Sequence, residues 1–245
     1  MPNPQSLAQI AARDAGSLVP AFQDLIAGIP YERKGILFSE MYFFWLLART
    51  LQPRRILESG RARGQSTLVL SLCFPESEII SVEYDRESPD VAIAAERLKG
   101  RDNVRQLFGD ATTLLPDMAR ADDVAIVDGP KGYRGLRLAL RMLDRGLPMI
   151  FVHDTCIGSQ ERRYLNRRVP EAIYSDQAEI ASHTHGLDQG MWDDLAPERR
   201  WTDAGAPAAG YGFSLACLPR LDGRNYSLLL FQAVLDGLAY RLLKR

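Results

Sequence analysis

The sequence predicts an α/β domain, doubly wound around a mostly parallel sheet, and three observations carry that prediction. Five short apolar runs alternate with helix-patterned segments between residues 39 and 155, the rhythm of a parallel sheet with helices on both faces. Each run ends in or beside an acid: Glu58, Glu83, Asp110, Asp128 and Asp154. A loop with two glycines, Glu58-Ser59-Gly60-Arg61-Ala62-Arg63-Gly64-Gln65-Ser66, follows the first run. Open α/β sheets bind ligands at that rim, beyond the carboxyl ends of their strands.

Residues 1–38 read as an N-terminal segment of one or two short helices and a loop, broken at Pro20 and Pro30. The main domain then runs over residues 39–245. "SEMYFFWLLARTL" is a buried helix capped by Ser39 and ended before Pro53. "RRILES" is the first strand, and "QSTLVLSLCF" a helix that starts just past Gly64. "EIISVEYD" is the second strand, and "DVAIAAERLKG" a helix closed by Gly100. "VRQLFGDA" is the third strand with the short helix "TTLLPDMAR" behind it. "DVAIVDG" is the fourth, "YRGLRLALRMLDRG" a helix closed by Gly146, and "PMIFVHD" the fifth strand. Residues 156–210, rich in polar residues, glycine and proline, read as an insertion or lid over the substrate side. "YGFSLACL" and "YSLLLFQ" around "PRLDGRN" suggest a β-hairpin, and "AVLDGLAYRLLKR" an amphipathic helix.

Composition narrows the function. A chain of 245 residues with 46% hydrophobic and 25% charged residues is ordinary for a globular protein. Its net charge of −1 gives no sign of a nucleic-acid partner. Cys73, Cys156 and Cys217 have neither disulfide-framework nor zinc-site spacing. With no signal-peptide pattern and no bilayer-length apolar run, the expectation is a cytoplasmic protein without a membrane partner. The basic cluster Arg162, Arg163, Arg167 and Arg168 suits either a solvated helix face or recognition of an acidic substrate.

The glycine loop excludes one nucleotide-binding pattern and fits a second poorly, although Arg61 or Arg63 could supply charge there. A P-loop needs a lysine where Gln65 stands, and a dinucleotide fingerprint needs glycines where Ala62 and Gln65 stand. The form E-x-G-x-x-x-G-x-S instead resembles the first motif of class I S-adenosylmethionine-dependent methyltransferases, in the variant of the catechol and caffeoyl-CoA O-methyltransferases. The resemblance covers roughly residues 39–155 and implies a seven-stranded Rossmann-like sheet. It implies S-adenosylmethionine as cofactor, held by Glu58, Gly60, Arg61, Gly64, Ser66, Glu83, Asp110, Ala111 and Asp128. Glu83 would accept hydrogen bonds from the ribose hydroxyls, and Asp110 and Ala111 would line the adenine. A guanidinium beside a fixed sulfonium is repulsive, so at least one of Arg61 and Arg63 should turn away.

"VAIVDGPKGYRG" and "MIFVHDT" resemble the metal and catalytic motifs of the same branch. The resemblance implies Asp128 and Lys131 as catalytic residues. It implies Asp128, Asp154 and Thr155 as ligands of Mg²⁺ or a similar cation, with Thr155 in the place of the relatives' amide. One predicted helix separates Asp128 from Asp154, so a right-handed crossover sets them at neighbouring strand ends. Lys131 would take the acceptor's proton if nearby positive charge depressed its pKa. His153 could substitute for the missing amide, but strand alternation turns it to the opposite face unless the strand has already ended. The expected function is methyl transfer to a hydroxyl of a small molecule, assisted by a divalent cation. "RARGQST" also resembles the cephalosporin hydroxylase-like group, so a different reaction on the same cofactor fold stays open, as does a non-catalytic binding module. A homodimer stays open as well.

Overall fold

A computed structural model of the chain describes residues 4–32, 34–190 and 214–243. Three helices precede the sheet: α1 (Pro4–Asp14), α2 (Val19–Leu25) and α3 (Phe38–Ala48). There follow β1 (Arg55–Ser59), α4 (Gln65–Cys73), β2 (Glu78–Glu83), α5 (Asp90–Arg97), β3 (Val104–Phe108) and α6 (Ala111–Met118). Next come β4 (Val124–Val127), α7 (Tyr133–Asp144), β5 (Met149–Val152), α8 (Gln160–Arg168), β6 (Ile173–Tyr174) and α9 (Ala178–Thr184). After residue 213 the chain forms β7 (Ala216–Pro219) and a last helix, α10 (Tyr226–Leu243).

The seven strands make one sheet in the order β3-β2-β1-β4-β5-β7-β6. Strands β1 to β5 are parallel, and β7 runs antiparallel between β5 and β6. This is the doubly wound, mostly parallel, seven-stranded Rossmann-like arrangement expected from the sequence. Every residue of β1, β4 and β5 is buried, because helices cover both faces of the sheet's centre. Their side chains alternate between two cores. Ile56, Val124, Ile126, Met149 and Phe151 pack with α1, α2, α3 and α4. Leu57, Ala125, Val127, Ile150 and Val152 pack with α6, α7, α8 and α10. Each fully buried large side chain contributes roughly 1.5–3 kcal/mol.

The N-terminal helices share the first of these cores. Leu7, Ala11 and Phe22 lie with Tyr42 and Phe44 of α3, and the Tyr42 hydroxyl donates to the Ala15 carbonyl at 2.6 Å. Pro20 sits in the first turn of α2, where a missing N–H costs nothing. Helix α3 starts earlier than Ser39: Leu37 is its N-cap, and Glu40 Oε2 reaches back to accept the Leu37 N–H at 3.1 Å.

Two expectations change beyond β5. Part of the predicted insertion is framework: α8 packs into the second core through Tyr164 and Leu165, and β6 extends the sheet. Helix α9 joins the first core through Ile180, and residues 191–210 of the insertion, with Trp192 and Trp201, lie outside the described residues. The hairpin is also replaced, because "YSLLLFQ" opens α10 rather than a strand. Both edges of β7 are taken by β5 and β6, so no edge is left for a hairpin partner. Asn225 Oδ1 accepts the Leu228 N–H at 2.9 Å and starts the helix instead.

Candidate active site

At the carboxyl rim of the sheet, the ends of β1, β2, β3 and β4 enclose a cavity of about 250 Å³. Gly60, Glu83, Asp110 and Ala111 line it, with Ser59, Tyr84, Gly129 and Arg134. Gly60 has φ +92°, and a Cβ there would stand 2.9 Å from the Gly129 nitrogen, so only glycine lets the loops after β1 and β4 meet. The Glu83 carboxylate is oriented by backbone donors: Oε2 accepts the Ala62 N–H at 2.7 Å and Oε1 the Tyr84 N–H at 2.8 Å. Asp110 is the N-cap of α6. Its Oδ1 accepts from the Thr112 N–H at 2.9 Å, and its Oδ2 from Arg134 at 2.6 Å. The Thr112 hydrogen bonds, followed by Arg134, hold the Asp110 carboxyl below its usual range.

Four residues of the expected cofactor set stand behind this wall. Glu58 is fully buried within β1 and accepts hydroxyl bonds from Ser66, Thr67 and Ser81; burial raises its pKa against those bonds. The Ser66 hydroxyl is thereby committed to Glu58. Gly64 caps α4 with φ +76°, and its missing Cβ makes room for Ala94 of α5 and for Leu98 just past it rather than for a ligand. Arg61 lies beneath the loop, donating to the Ser81 carbonyl at 2.8 Å with its guanidinium over the Phe108 ring. Arg63 pairs with Asp90 at 2.8 Å and Glu32 at 3.1 Å. Both arginines point away from the cavity.

Beside the cavity, across Gly129 and Pro130, lies a cluster of charged groups. Lys131 Nζ stands 2.5 Å from both Asp128 Oδ1 and Asp154 Oδ2. Strand β5 ends at Val152, and Asp154 takes φ +60°, so the chain leaves the strand geometry and consecutive side chains reach one site. His153 therefore points inward, the outcome expected where the strand has already ended. Its Nδ1 lies 2.5 Å from Asp128 Oδ1, and its Nε2 lies 3.2 Å from Glu40 Oε2. Burial alone would lower the histidine's pKa, but Glu40 and Asp128 raise it well above the usual value. Burial would raise the Asp128 carboxyl, yet His153 and Lys131 hold it well below the carboxylate range. Lys131 departs from expectation. Desolvation would lower its pKa, but the Asp128 and Asp154 carboxylates in contact with it raise it.

The third expected metal ligand is elsewhere. Thr155 is fully buried, and its hydroxyl donates to the Ser214 carbonyl at 2.8 Å. Asp128, His153 and Asp154 instead bring one donor atom each within 4.8 Å of one another. Two carboxylates and an imidazole whose other nitrogen meets a buried carboxylate make a donor set that fits a divalent cation. Sequence reasoning missed Glu40 as the partner of His153. The signal was an acid inside the apolar run "SEMYFFWLL", since a buried acid needs a partner.

No family model matches the chain. The chain is 30% identical over 113 residues to the catechol O-methyltransferase of Mycobacterium tuberculosis, a match covering 44% of this chain and 51% of that protein. It thus spans about half the length of this curated relative. Among solved structures, cofactor-bound Rv0187 from MTB is 20% identical with a TM-score of 0.49, covering 91% of this chain and 100% of that one. The O-methyltransferase TomG from Streptomyces achromogenes, in complex with S-adenosylmethionine, is 21% identical with a TM-score of 0.47, covering 86% of this chain and 90% of that one. The chain is thus similar in sequence to a catechol O-methyltransferase, and its mostly parallel, seven-stranded sheet has the Rossmann-like form that the resemblance to class I methyltransferases implied.

Proposed function

We propose that the chain transfers the methyl group of S-adenosylmethionine to a hydroxyl of a small molecule, assisted by a divalent cation. One observation carries this reading: a cavity edged by Gly60, Glu83 and Asp110 shares the Gly129–Pro130 wall with the group Asp128, Lys131, His153 and Asp154. Glu83 presents a carboxylate already fixed by two backbone N–H groups, the arrangement needed to accept from a pair of ribose hydroxyls. Acids along the cavity, with Arg61 and Arg63 turned away and Arg134 paired with Asp110, suit a cofactor that carries a sulfonium.

Asp128, His153 and Asp154 would hold the cation, with Glu40 fixing the histidine ring through Nε2. When bound, the cation supplies Lewis-acid polarisation of the acceptor oxygen. Methyl transfer breaks the sulfur–carbon bond and forms an oxygen–carbon bond, and the hydroxyl proton leaves to the group nearest that oxygen. Lys131 reaches both carboxylates of this cluster. It is thus placed to steady negative charge on the acceptor oxygen and to receive that proton once the carboxylates have another counter-charge. Alignment of the two reactants supplies most of the remaining rate.

The test is formation of S-adenosylhomocysteine from S-adenosylmethionine with catechol-type acceptors, with and without Mg²⁺. No cofactor binding by calorimetry and no product would refute the reading. A second reading, a different reaction on the same cofactor fold, draws on the resemblance of "RARGQST" to the cephalosporin hydroxylase-like group and on the ligand set lacking the amide. Bound cofactor with an acceptor that is altered but not methylated would favour it.

A further inference from the structure

A second cleft, of about 240 Å³, opens between the start of α7 and the later turns of α10. Strand β7 runs antiparallel, so α10 starts at the opposite edge of the sheet and climbs back toward the ligand rim. Lys131, Arg134, Arg137 and Arg241 line the cleft, and no acid among the described residues does. In a chain of net charge −1, that is a local concentration of positive charge. Two of the four are neutralised where they stand: Lys131 by Asp128 and Asp154, Arg134 by Asp110. Arg137 and Arg241 have no ion-pair partner among the described residues. The basic cluster singled out from sequence does not supply this charge, since Arg162 pairs with Asp176 and Arg167 with Asp236. The other wall is apolar: Leu238 of α10 is half exposed, and the Tyr133 and Tyr240 rings stand 6.2 Å apart.

We propose that this cleft binds an anionic group, a carboxylate or a phosphate, on the methyl acceptor, held chiefly by Arg137 and Arg241. The inference rests on the methyl-transfer reading and adds the acceptor's chemical class. Two residues tie the cleft to the reacting centre. Lys131 lines it while its Nζ touches Asp128 and Asp154, and Arg134 lines both it and the cofactor cavity. An acceptor with its hydroxyl at the carboxylates can therefore extend its body along the tyrosines and Leu238 and its charge toward the arginines. Guanidinium groups favour such an end, because their planar fork matches carboxylate and phosphate oxygens.

Calorimetry on the full chain with S-adenosylhomocysteine present tests this with two probes that differ by one carboxylate, catechol and protocatechuate. Protocatechuate should bind roughly tenfold or more tightly, and the double variant Arg137→Gln/Arg241→Gln should lose that advantage. The affinity for S-adenosylhomocysteine should stay unchanged, which also verifies folding, and the single variants should fall between. Benzoate and inorganic phosphate as competitors identify which anion the cleft prefers. Equal affinity of the two probes in the wild type, or undiminished protocatechuate binding in the double variant, would overturn the anion site. If protocatechuate binds as expected but no methyl transfer occurs, the anion site stands and the methyl-transfer reading fails. If both probes are methylated with equal kcat/KM in wild type and variant, the anion site fails and methyl transfer stands.

Discussion

Replacing Glu83 by alanine tests the cofactor assignment where the structure allows a magnitude. Its two carboxylate oxygens each hold a backbone N–H, from Ala62 and from Tyr84, and the cavity lies on their open side. Truncation removes the acceptors offered to the ribose and releases the Ala62 N–H that fixes the loop after β1. A charge-assisted hydrogen bond is worth about 1.5–3 kcal/mol, so affinity for S-adenosylhomocysteine should fall roughly ten- to hundredfold. The freed Ala62 N–H can turn to water, so stability should fall by only about 1 kcal/mol. Glu83→Gln retains one carbonyl oxygen but presents an amide donor to a backbone donor, and it should lose an intermediate amount. Calorimetry gives the affinities and urea unfolding the stability. Wild-type affinity in a folded Glu83→Ala chain would refute the reasoning, because no other acid ends β2.

The second site and the framework carry the other expectations. Asp154→Ala should abolish transfer while leaving the S-adenosylhomocysteine affinity within about twofold, since Asp154 does not line the cofactor cavity; EDTA should mimic it and Mg²⁺ reverse the chelation. Full activity in EDTA would remove the cation from the mechanism. Gly60→Ala should cost about 2–3 kcal/mol from the forbidden φ and the 2.9 Å approach to Gly129, and a thermal midpoint like that of the wild type would contradict it. Asp188, buried against the Phe38 and Ser39 N–H groups, has its pKa pushed up to about 7, first by desolvation and with Glu40 adding to it. Its folded value is raised, so its stabilising contribution is full below the unfolded value near pH 4 and is lost as pH rises through 7. Between about pH 4 and pH 8, Asp188→Asn should therefore gain on the wild type by about 4 kcal/mol in urea unfolding; parallel curves would refute the shift.

How much of this was legible in the sequence depended on how local the cause was. The strands, the loop and the acids at their ends follow from periodicity and spacing, and the structure places them as read. Glu58 shows where spacing stops short. It lies inside β1, not past its end, and the register sets it opposite Ser81 of β2, whose hydroxyl it accepts. Glu83 ends its strand, and Asp110 and Asp128 follow theirs, so those side chains are free to face the rim. "YSLLLFQ" is an apolar run that periodicity alone assigns to neither strand nor helix; only the occupied edges of β7 decide it. His153 and Glu40 are far apart in the chain and meet only through the packing of α3 on the sheet. Thr155 was placed by resemblance, and the turn at Asp154 carries it to Ser214 instead.

The two arginines of the loop after β1 show how the chain supplies positive charge near the cavity without placing it inside. Arg61 is 1% exposed and stands within the fields of Glu58 and Glu83, both of which favour its charge against the burial that opposes it. Two carboxylates on adjacent strands repel each other, and a guanidinium beneath them offsets part of that repulsion. Arg63 works on the outer side. It joins Asp90 of α5 to Glu32, while Arg97 bonds Glu32 at 3.0 Å and donates to the Arg63 carbonyl at 2.7 Å. The loop is thus tied to β2 and β3 from below and to α5 and the N-terminal segment from the side. At about 4 Å, two like charges repel by roughly 1 kcal/mol in water and about 4 kcal/mol near a protein surface. Arg61 or Arg63 turned into the cavity would oppose a sulfonium by that amount, whereas Glu83 on the inward face attracts one, and Arg134, which does line the cavity, is paired with Asp110.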